Sequence, residues 1–233
     1  LHKNFTVSER ETVNRYVIGD IHGCNRTFGK LLKKINISKS DEIYILGDMI
    51  NRGSNSSGVL NRIIKLKKQG FKIFPLKGNH EQMLLTVINN EPERLFNFLR
   101  FYKSSDLLSM KGKIKKKYIK LLETLPTYFE LDNFILVHAA LDLSNDNIFE
   151  NQEFMLSSRY QRGNISQLEG KILIHGHTVS DFETIKERIN ERSQIICIDN
   201  GCIYGDSRKG FGRLVCLNID KMEIISKRNC ENA

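Results

Sequence analysis

No apolar run in this 233-residue chain approaches the roughly 18 residues needed to cross a bilayer, which argues against a membrane-spanning protein. The amino end, Leu1 to Val13, is polar and charged and lacks the apolar core of a secretory signal. The chain begins at Leu1, so an upstream piece is left open. Cysteine is present but unpatterned. Cys24, Cys197, Cys202, Cys216 and Cys230 are odd in number and none stand in CxxC spacing, which disfavours a zinc ribbon or disulfide framework and fits reduced thiols in a cytoplasmic protein. Low-complexity tracts, tandem repeats and linkers are also missing, and the length suffices for one sizeable core. A single domain over residues 1–233 is expected.

Charge is the main compositional excess. A net charge of +9 invites a nucleic-acid reading, but the charge is spread along the chain. Its densest part, Lys111 to Lys120, reads as a short helix that turns Ile114, Tyr118 and Ile119 inward and leaves its lysines in solvent. A solvated face is the better account, and a basic surface would steer anionic substrates to the protein.

Three strand–loop–helix units follow one another. Asn14 to Ile18 is β-branched and aromatic, leads into Gly19-Asp20-Ile21-His22-Gly23, and is followed by Asn25 to Ile35 with apolar residues at helical spacing. Glu42 to Leu46, a loop from Gly47 to Gly53, and a helix from Gly58 to Gln69 repeat the pattern. The third strand, Phe71 to Leu76, delivers Gly78-Asn79-His80-Glu81; taken alone, this tetrad could be a mere helix start with Asn79 as N-cap. Together the units place three polar loops on one edge of a mostly parallel sheet. Residues 90–125 carry helical spacing and read as an inserted cap. Thr127 to Leu131 and Phe134 to Val137 read as a strand pair delivering His138, and Lys171 to Ile174 as a strand ending in His175-Gly176-His177-Thr178. Leu141 to Arg162 is loop-like apart from a short helix near Gln152 to Leu156. Strands at Gln194 to Ile198, Gly212 to Ile219 and Met222 to Ser226 suggest a second, more antiparallel sheet.

The strand ends gather Asp20, His22, Asp48, Asn79, His80, His138 and His177. Carboxylate with imidazole suits Mn, Fe or Zn, and two adjacent ions need a bridging ligand. Asp48 is placed to bridge, with Asp20 and His22 completing one ion and Asn79, His138 and His177 the other.

Gly19-Asp20-x-His22-Gly23, Gly47-Asp48-x-x-x-Arg52-Gly53, Gly78-Asn79-His80-Glu81, Leu136-Val137-His138-Ala139 and Gly176-His177-Thr178 together resemble, in order and spacing, the metallophosphatases of the phosphoprotein phosphatase superfamily. The match is to the bacterial and phage-type Ser/Thr protein phosphatase branch, with the symmetrical diadenosine tetraphosphatases nearby, and runs from about Arg15 to about Leu217. The resemblance implies an α/β fold, a four-layer αββα sandwich of two mixed sheets. It also implies a cofactor of two divalent ions, manganese foremost, with iron, zinc, nickel or cobalt able to use the same ligands. Ions about 4 Å apart would turn a shared water into a hydroxide for in-line attack on phosphorus.

In that family pattern Arg52 grips phosphoryl oxygens, as a planar guanidinium can. Arg159 resembles the second phosphate-binding arginine, with Arg162 close enough to compete. His80 is implied to be the general acid rather than a ligand. The chain departs from its relatives at Asn51, where they carry an Asp that holds the His in its charged form; a neutral amide can orient the ring without supplying charge. Reduced activity on alkyl phosphates such as phosphoserine is expected, with a smaller penalty on aryl phosphates. His175 reads as a packing or supporting residue rather than a ligand, His2 as exposed, and Asp199 with Asn200-Gly201 as a supporting turn. Cys24 directly follows a candidate metal motif, where oxidation could interfere with activity. The leading expectation is a Ser/Thr protein phosphatase acting on a phosphoprotein or a phosphorylated small molecule. Hydrolysis of dinucleoside polyphosphates and a catalytically weak phosphate- or nucleic-acid-binding protein are the alternatives.

Overall fold

A computed structural model describes residues 13–231. Residues 1–12, with His2 and nearly all of the polar amino end, lie outside the described residues. Side chains in a strand alternate between its two faces, and here both faces are apolar. In β1 (Arg15–Ile18) Tyr16 and Ile18 enter one core while Val17 enters another. The same alternation holds in β2 (Glu42–Ile45), where Ile43 and Ile45 oppose Tyr44. A sheet buried on both faces must be covered by a layer on each side.

The remaining elements are α1 (Asn25–Ile35), α2 (Ser56–Lys68), β3 (Lys72–Pro75), α3 (Asn79–Asn90), α4 (Leu95–Phe101), α5 (Lys116–Glu123), β4 (Tyr128–Glu130), β5 (Phe134–Val137) and β6 (Asp142–Leu143). After these come α6 (Gln152–Ser157), β7 (Arg162–Gly163), β8 (Ile172–His175), α7 (Phe182–Asn190), β9 (Ile195–Cys197), β10 (Arg213–Asn218) and β11 (Glu223–Arg228). The first sheet has the order β11-β10-β1-β2-β3 and the second β4-β5-β8-β9, while β6 and β7 form a small separate pair. Within the first sheet β1, β2 and β3 are parallel and β10 and β11 antiparallel. In the second, β5, β8 and β9 are parallel and β4 runs against β5.

Three cores fill the layers. The first joins one face of the five-stranded sheet to α1, α2, α3 and the helices of residues 90–125. The second lies between the sheets, where Val17, Tyr44 and Val215 meet Leu136, Ile174 and Ile196. The third covers the outer face of the four-stranded sheet. That fourth layer is thin: Met155 of α6, Leu168, the loop residue Leu141 and Leu143 of β6 stand where a long helix would otherwise lie. α7 instead closes the edge between the sheets, sending Ile185 and Ile189 into the middle core. Each core leucine truncated to alanine would cost about 2–5 kcal/mol.

Several expectations are corrected. The last three strands do not form a sheet of their own; β9 joins the second sheet in parallel, and β10 and β11 extend the first. The reason is packing, since β10 is apolar on both faces and pairs with β1 from Tyr16↔Asn218 to Ile18↔Cys216. α2 begins two residues earlier than expected because Asn55 caps it, accepting from Gly58 N at 2.8 Å. α3 begins with Asn79 as its first helical residue, and Gly78 rather than Asn79 is the N-cap. In the lysine-rich stretch the helix starts only at Lys116, after a turn at Gly112 with φ +69°, yet Ile114 and Tyr118 are buried as expected. Among the described residues no helix is long and apolar enough to cross a membrane.

Candidate active site

The parallel strands β1, β2, β3, β5 and β8 all end on one edge, and the loops leaving them carry the polar residues singled out above. Those loops are tightly wound. Among the described residues ten non-glycine positions have positive φ, and five of them are His22, Asp48, Asn51, Arg52 and His177. Such conformations are sparsely populated and persist only where surrounding contacts hold them. Gly47, at φ +105°, and Gly78 permit the closest approach: a Cβ on Gly78 would lie 2.3 Å from Asp48 Oδ1.

Much of that hold comes from Glu81, in the first turn of α3. Its fully buried carboxylate accepts from Gly78 N at 2.9 Å, Asp48 N at 2.9 Å, Met49 N at 2.8 Å and Ile50 N at 3.2 Å. It therefore staples the loop after β2 to the start of α3. The loop after β1 joins the same frame, with His22 N donating to Asp48 O at 2.8 Å.

Asp48 lies at the centre. His22, Asp48 and His80 offer donor atoms within 4.8 Å of one another, and so do Asp48, His138 and His177. His22 Nδ1 donates to Ile50 O at 3.1 Å, which leaves its Nε2 lone pair 3.4 Å from Asp48 Oδ2. His138 Nδ1 donates to Leu46 O at 2.8 Å, which leaves Nε2 facing Asn79 Oδ1 at 3.0 Å and Asp48 Oδ1 at 3.5 Å. The Nε2 lone pair of His138, Asn79 Oδ1 and Asp48 Oδ1 thus converge, the last also accepting His80 N at 3.0 Å. His177 Nε2 is buried with no hydrogen-bond partner. Asp20 is in neither donor group. It is buried beside them and accepts the His177 N–H at 3.2 and 3.3 Å.

Electrostatics fit the same picture. Burial pushes His138 and His177 down to about 4 and His22 well below the usual imidazole range, so the rings are neutral, as metal ligands must be. Burial pushes Asp20 well above the ordinary carboxylate range and Asp48 up to about 7. A cation reverses that penalty. Buried carboxylates, neutral imidazoles and convergent lone pairs together are the donor set a divalent transition metal takes, and Asp20, His22, Asp48, Asn79, His138 and His177 are the residues available to hold it.

His80 is arranged differently. Asn51 Nδ2 lies 2.9 Å from its Nδ1, and the Ser104 hydroxyl donates to Asn51 Oδ1 at 2.5 Å, which fixes the amide with its NH2 toward the ring. His80 Nε2 stands 3.9 Å from Asp48 Oδ2. The Tyr102 ring packs edge-on against His80 with centroids 5.4 Å apart, and its carbonyl accepts Arg52 N at 2.8 Å. Ser104 and Tyr102 have no signal in the sequence, because Ser104 lies 53 residues from Asn51 and Tyr102 lies 50 from Arg52 and 22 from His80, and neither belongs to a motif.

Arg52 and Arg159 are both exposed, and each is close enough to depress His177 further, after burial and His138. Arg162 instead pairs with Asp142 at 3.7 Å. His175 is buried, with Nδ1 against Gly176 O at 3.0 Å, and belongs to neither donor group. Asp199 accepts Gly201 N at 2.7 Å in a turn. Cys24 is fully buried, its thiol against His22 O at 3.7 Å.

A family model for calcineurin-like phosphoesterases matches residues 14–184. The chain belongs to that family. The strand-end cluster, from Asp20 to His177, lies within the matched residues. It is 48% identical over 73 residues to the symmetrical bis(5'-nucleosyl)-tetraphosphatase of Acidovorax sp. (strain JS42), a match covering 31% of this chain and 25% of the relative. The matched stretch thus spans about a quarter of the symmetrical relative's length. It is 27% identical over 240 residues to the asymmetrical bis(5'-nucleosyl)-tetraphosphatase PrpE of Anoxybacillus flavithermus, covering 90% of this chain and 92% of the relative. In fold it is similar to a Saccharomyces cerevisiae protein serine/threonine phosphatase with similarity to human phosphatase PP5, at TM-score 0.63 and 16% identity over 97% of this chain and 83% of that one.

Proposed function

We propose that the chain hydrolyses a phosphoric anhydride bond of dinucleoside polyphosphates. The observation that carries this reading is the neutral Asn51 amide against His80 Nδ1. An alkoxide leaving from phosphoserine needs a proton, whereas a nucleotide leaving from an anhydride is a weak base and needs little. Likeness to a tetraphosphatase over 90% of the chain points the same way. A Ser/Thr protein phosphatase is the competing reading.

Asp48 is the residue shared by two donor sets, so we assign it to bridge two divalent ions, manganese first among them. To one ion we assign Asp20 and His22 beside it, and to the other Asn79, His138 and His177. When bound, such ions polarise the phosphoryl oxygens and activate water for in-line attack. The chain's own groups do the rest. Arg52 and Arg159 hold phosphate oxygens through paired N–H donors. His80, with the Asn51 amide against Nδ1, presents its Nε2–H to the leaving oxygen as a hydrogen-bond donor. One water is consumed: its oxygen bonds to phosphorus, the bridging P–O bond breaks, a proton from the water passes to solvent, and two nucleotides leave.

Rates on diadenosine tetraphosphate and on a phosphoserine peptide, measured side by side with manganese, test the reading. The tetraphosphate should be favoured by about a hundredfold in kcat/KM, the scale of one lost general acid, and Asp48→Ala should abolish both activities. A faster peptide reaction would overturn the assignment.

A further inference from the structure

A groove of about 640 Å³ lies between α3 and α4, walled by Gln82, Met83, Asn97, Phe98, Phe101 and Tyr102. Gln82 and Met83 also line a smaller cavity of about 440 Å³ whose wall includes Asn79, so residues of α3 stand between the groove and the candidate centre. Its size suits a small molecule. Rings lead from one to the other: Phe98 and Phe101 pack on Tyr102 at centroid distances of 4.6 and 4.9 Å, and Tyr102 packs on His80. Phe101 is 78% exposed, an apolar ring largely left in water apart from its edge contact with Tyr102.

Resting on the dinucleoside polyphosphate reading, we infer that this groove binds the purine base of the nucleotide on the leaving side of the scissile bond. Three features select such an occupant. The groove's lining includes aromatic residues, which suit stacking of a flat ring, and Gln82 and Asn97, whose amides suit the polar edge of a base. Its charged residues, Arg94 and Glu91, are paired to each other, so the groove is neutral while Arg52 and Arg159 at the centre are cationic. A nucleotide has that division, with anionic phosphates beside a neutral flat ring. The side follows from Tyr102, which touches the ring assigned to the leaving group.

Calorimetric binding of adenosine diphosphate and of inorganic pyrophosphate to the manganese-loaded protein tests this without turnover. Stacking predicts adenosine diphosphate to bind about tenfold more tightly. Phe101→Ala and Asn97→Ala should erase that preference, and Phe96→Ala, 62% exposed on the same helix and outside the groove, should keep it. Equal affinity of the two ligands in the wild type, or an intact preference in Phe101→Ala, overturns the inference. So does loss of phosphopeptide binding in Phe101→Ala with the nucleotide preference unchanged, which would give the groove to a peptide side chain. A preserved preference without hydrolysis of diadenosine tetraphosphate would defeat the proposed reaction and leave the groove standing. Hydrolysis with no preference would do the reverse.

Discussion

Asn51→Asp is the substitution that bears most directly on the chemistry. Asn51 is fully buried, with Nδ2 2.9 Å from His80 Nδ1 and Oδ1 held by Ser104, so an isosteric carboxylate would keep the Ser104 bond and set its second oxygen against the imidazole. Charges about 4 Å apart at an effective dielectric of about 20 attract by about 4 kcal/mol, or about three powers of ten in protonation. Burial first, then Arg52 and His138, bring His80 down to about 3; the new carboxylate lifts it to about 6. At neutral pH the charged fraction then rises from about one in ten thousand to about one in ten.

The gain should appear only where the leaving group needs a proton. Turnover of a phosphoserine peptide should rise by about a hundredfold, within the range of a general acid, while p-nitrophenyl phosphate and diadenosine tetraphosphate change by less than about threefold. The buried carboxylate should also lower stability by about 1–3 kcal/mol, read by urea unfolding. Absence of any gain on the peptide, or an equal gain on all three substrates, would refute the role given to the amide.

Glu81→Gln removes an acceptor from four converging backbone N–H groups and should cost about 2–3 kcal/mol in urea unfolding, with a 10–100-fold loss of metal affinity, the usual effect of disturbing a ligand's support. Chelation followed by dialysis should abolish hydrolysis and lower the melting temperature, and manganese should restore both; elemental analysis should give about two ions per chain in the wild type and fewer in Asp48→Ala and His138→Ala. Asp41 couples β1 to β2 by accepting Ser38 N at 2.7 Å and Asn14 N at 3.1 Å. Burial raises its pKa, but those hydrogen bonds outweigh it and hold the carboxyl below its ordinary value. Asp41→Asn should therefore destabilise the protein at pH 7, and the difference from wild type should vanish as pH falls through the depressed native value, because the contribution of a depressed carboxyl is present above its unfolded pKa and lost below its folded one.

Much of the site was legible because a metal ligand has few possible identities and, in this architecture, one kind of address. Asp20, His22, Asp48, His138 and His177 each follow a short apolar run at a strand's end, and the strands themselves show in alternation such as Tyr16-Val17-Ile18. Pairing was less legible. β9 and β10 both carry apolar residues on two faces, so nothing in either run says which sheet it joins, and contacts such as Tyr16↔Asn218 span almost the whole chain. α7 was missed altogether, although Asp181 as N-cap with Ile185 and Ile189 four residues apart were its signals. Glu81 looked ordinary because its four partners converge only after Asp48 takes a positive φ.

The least legible residues share one short segment. Phe98, Phe101, Tyr102 and Ser104 lie within residues 98–104, outside every motif. Yet Ser104 fixes the Asn51 amide, Tyr102 braces His80 and docks Arg52, and Phe98 with Phe101 walls the groove beyond them. On the proposed reading the motifs supply metal ligands and phosphate-gripping arginines, groups that treat any phosphoric ester alike. Choice among leaving groups requires residues that meet the far side of the scissile bond, and the same reading assigns that side to residues 98–104. Substitutions there should therefore change the ratio of rates between substrates far more than they change metal content, whereas substitutions in the motifs should do the opposite.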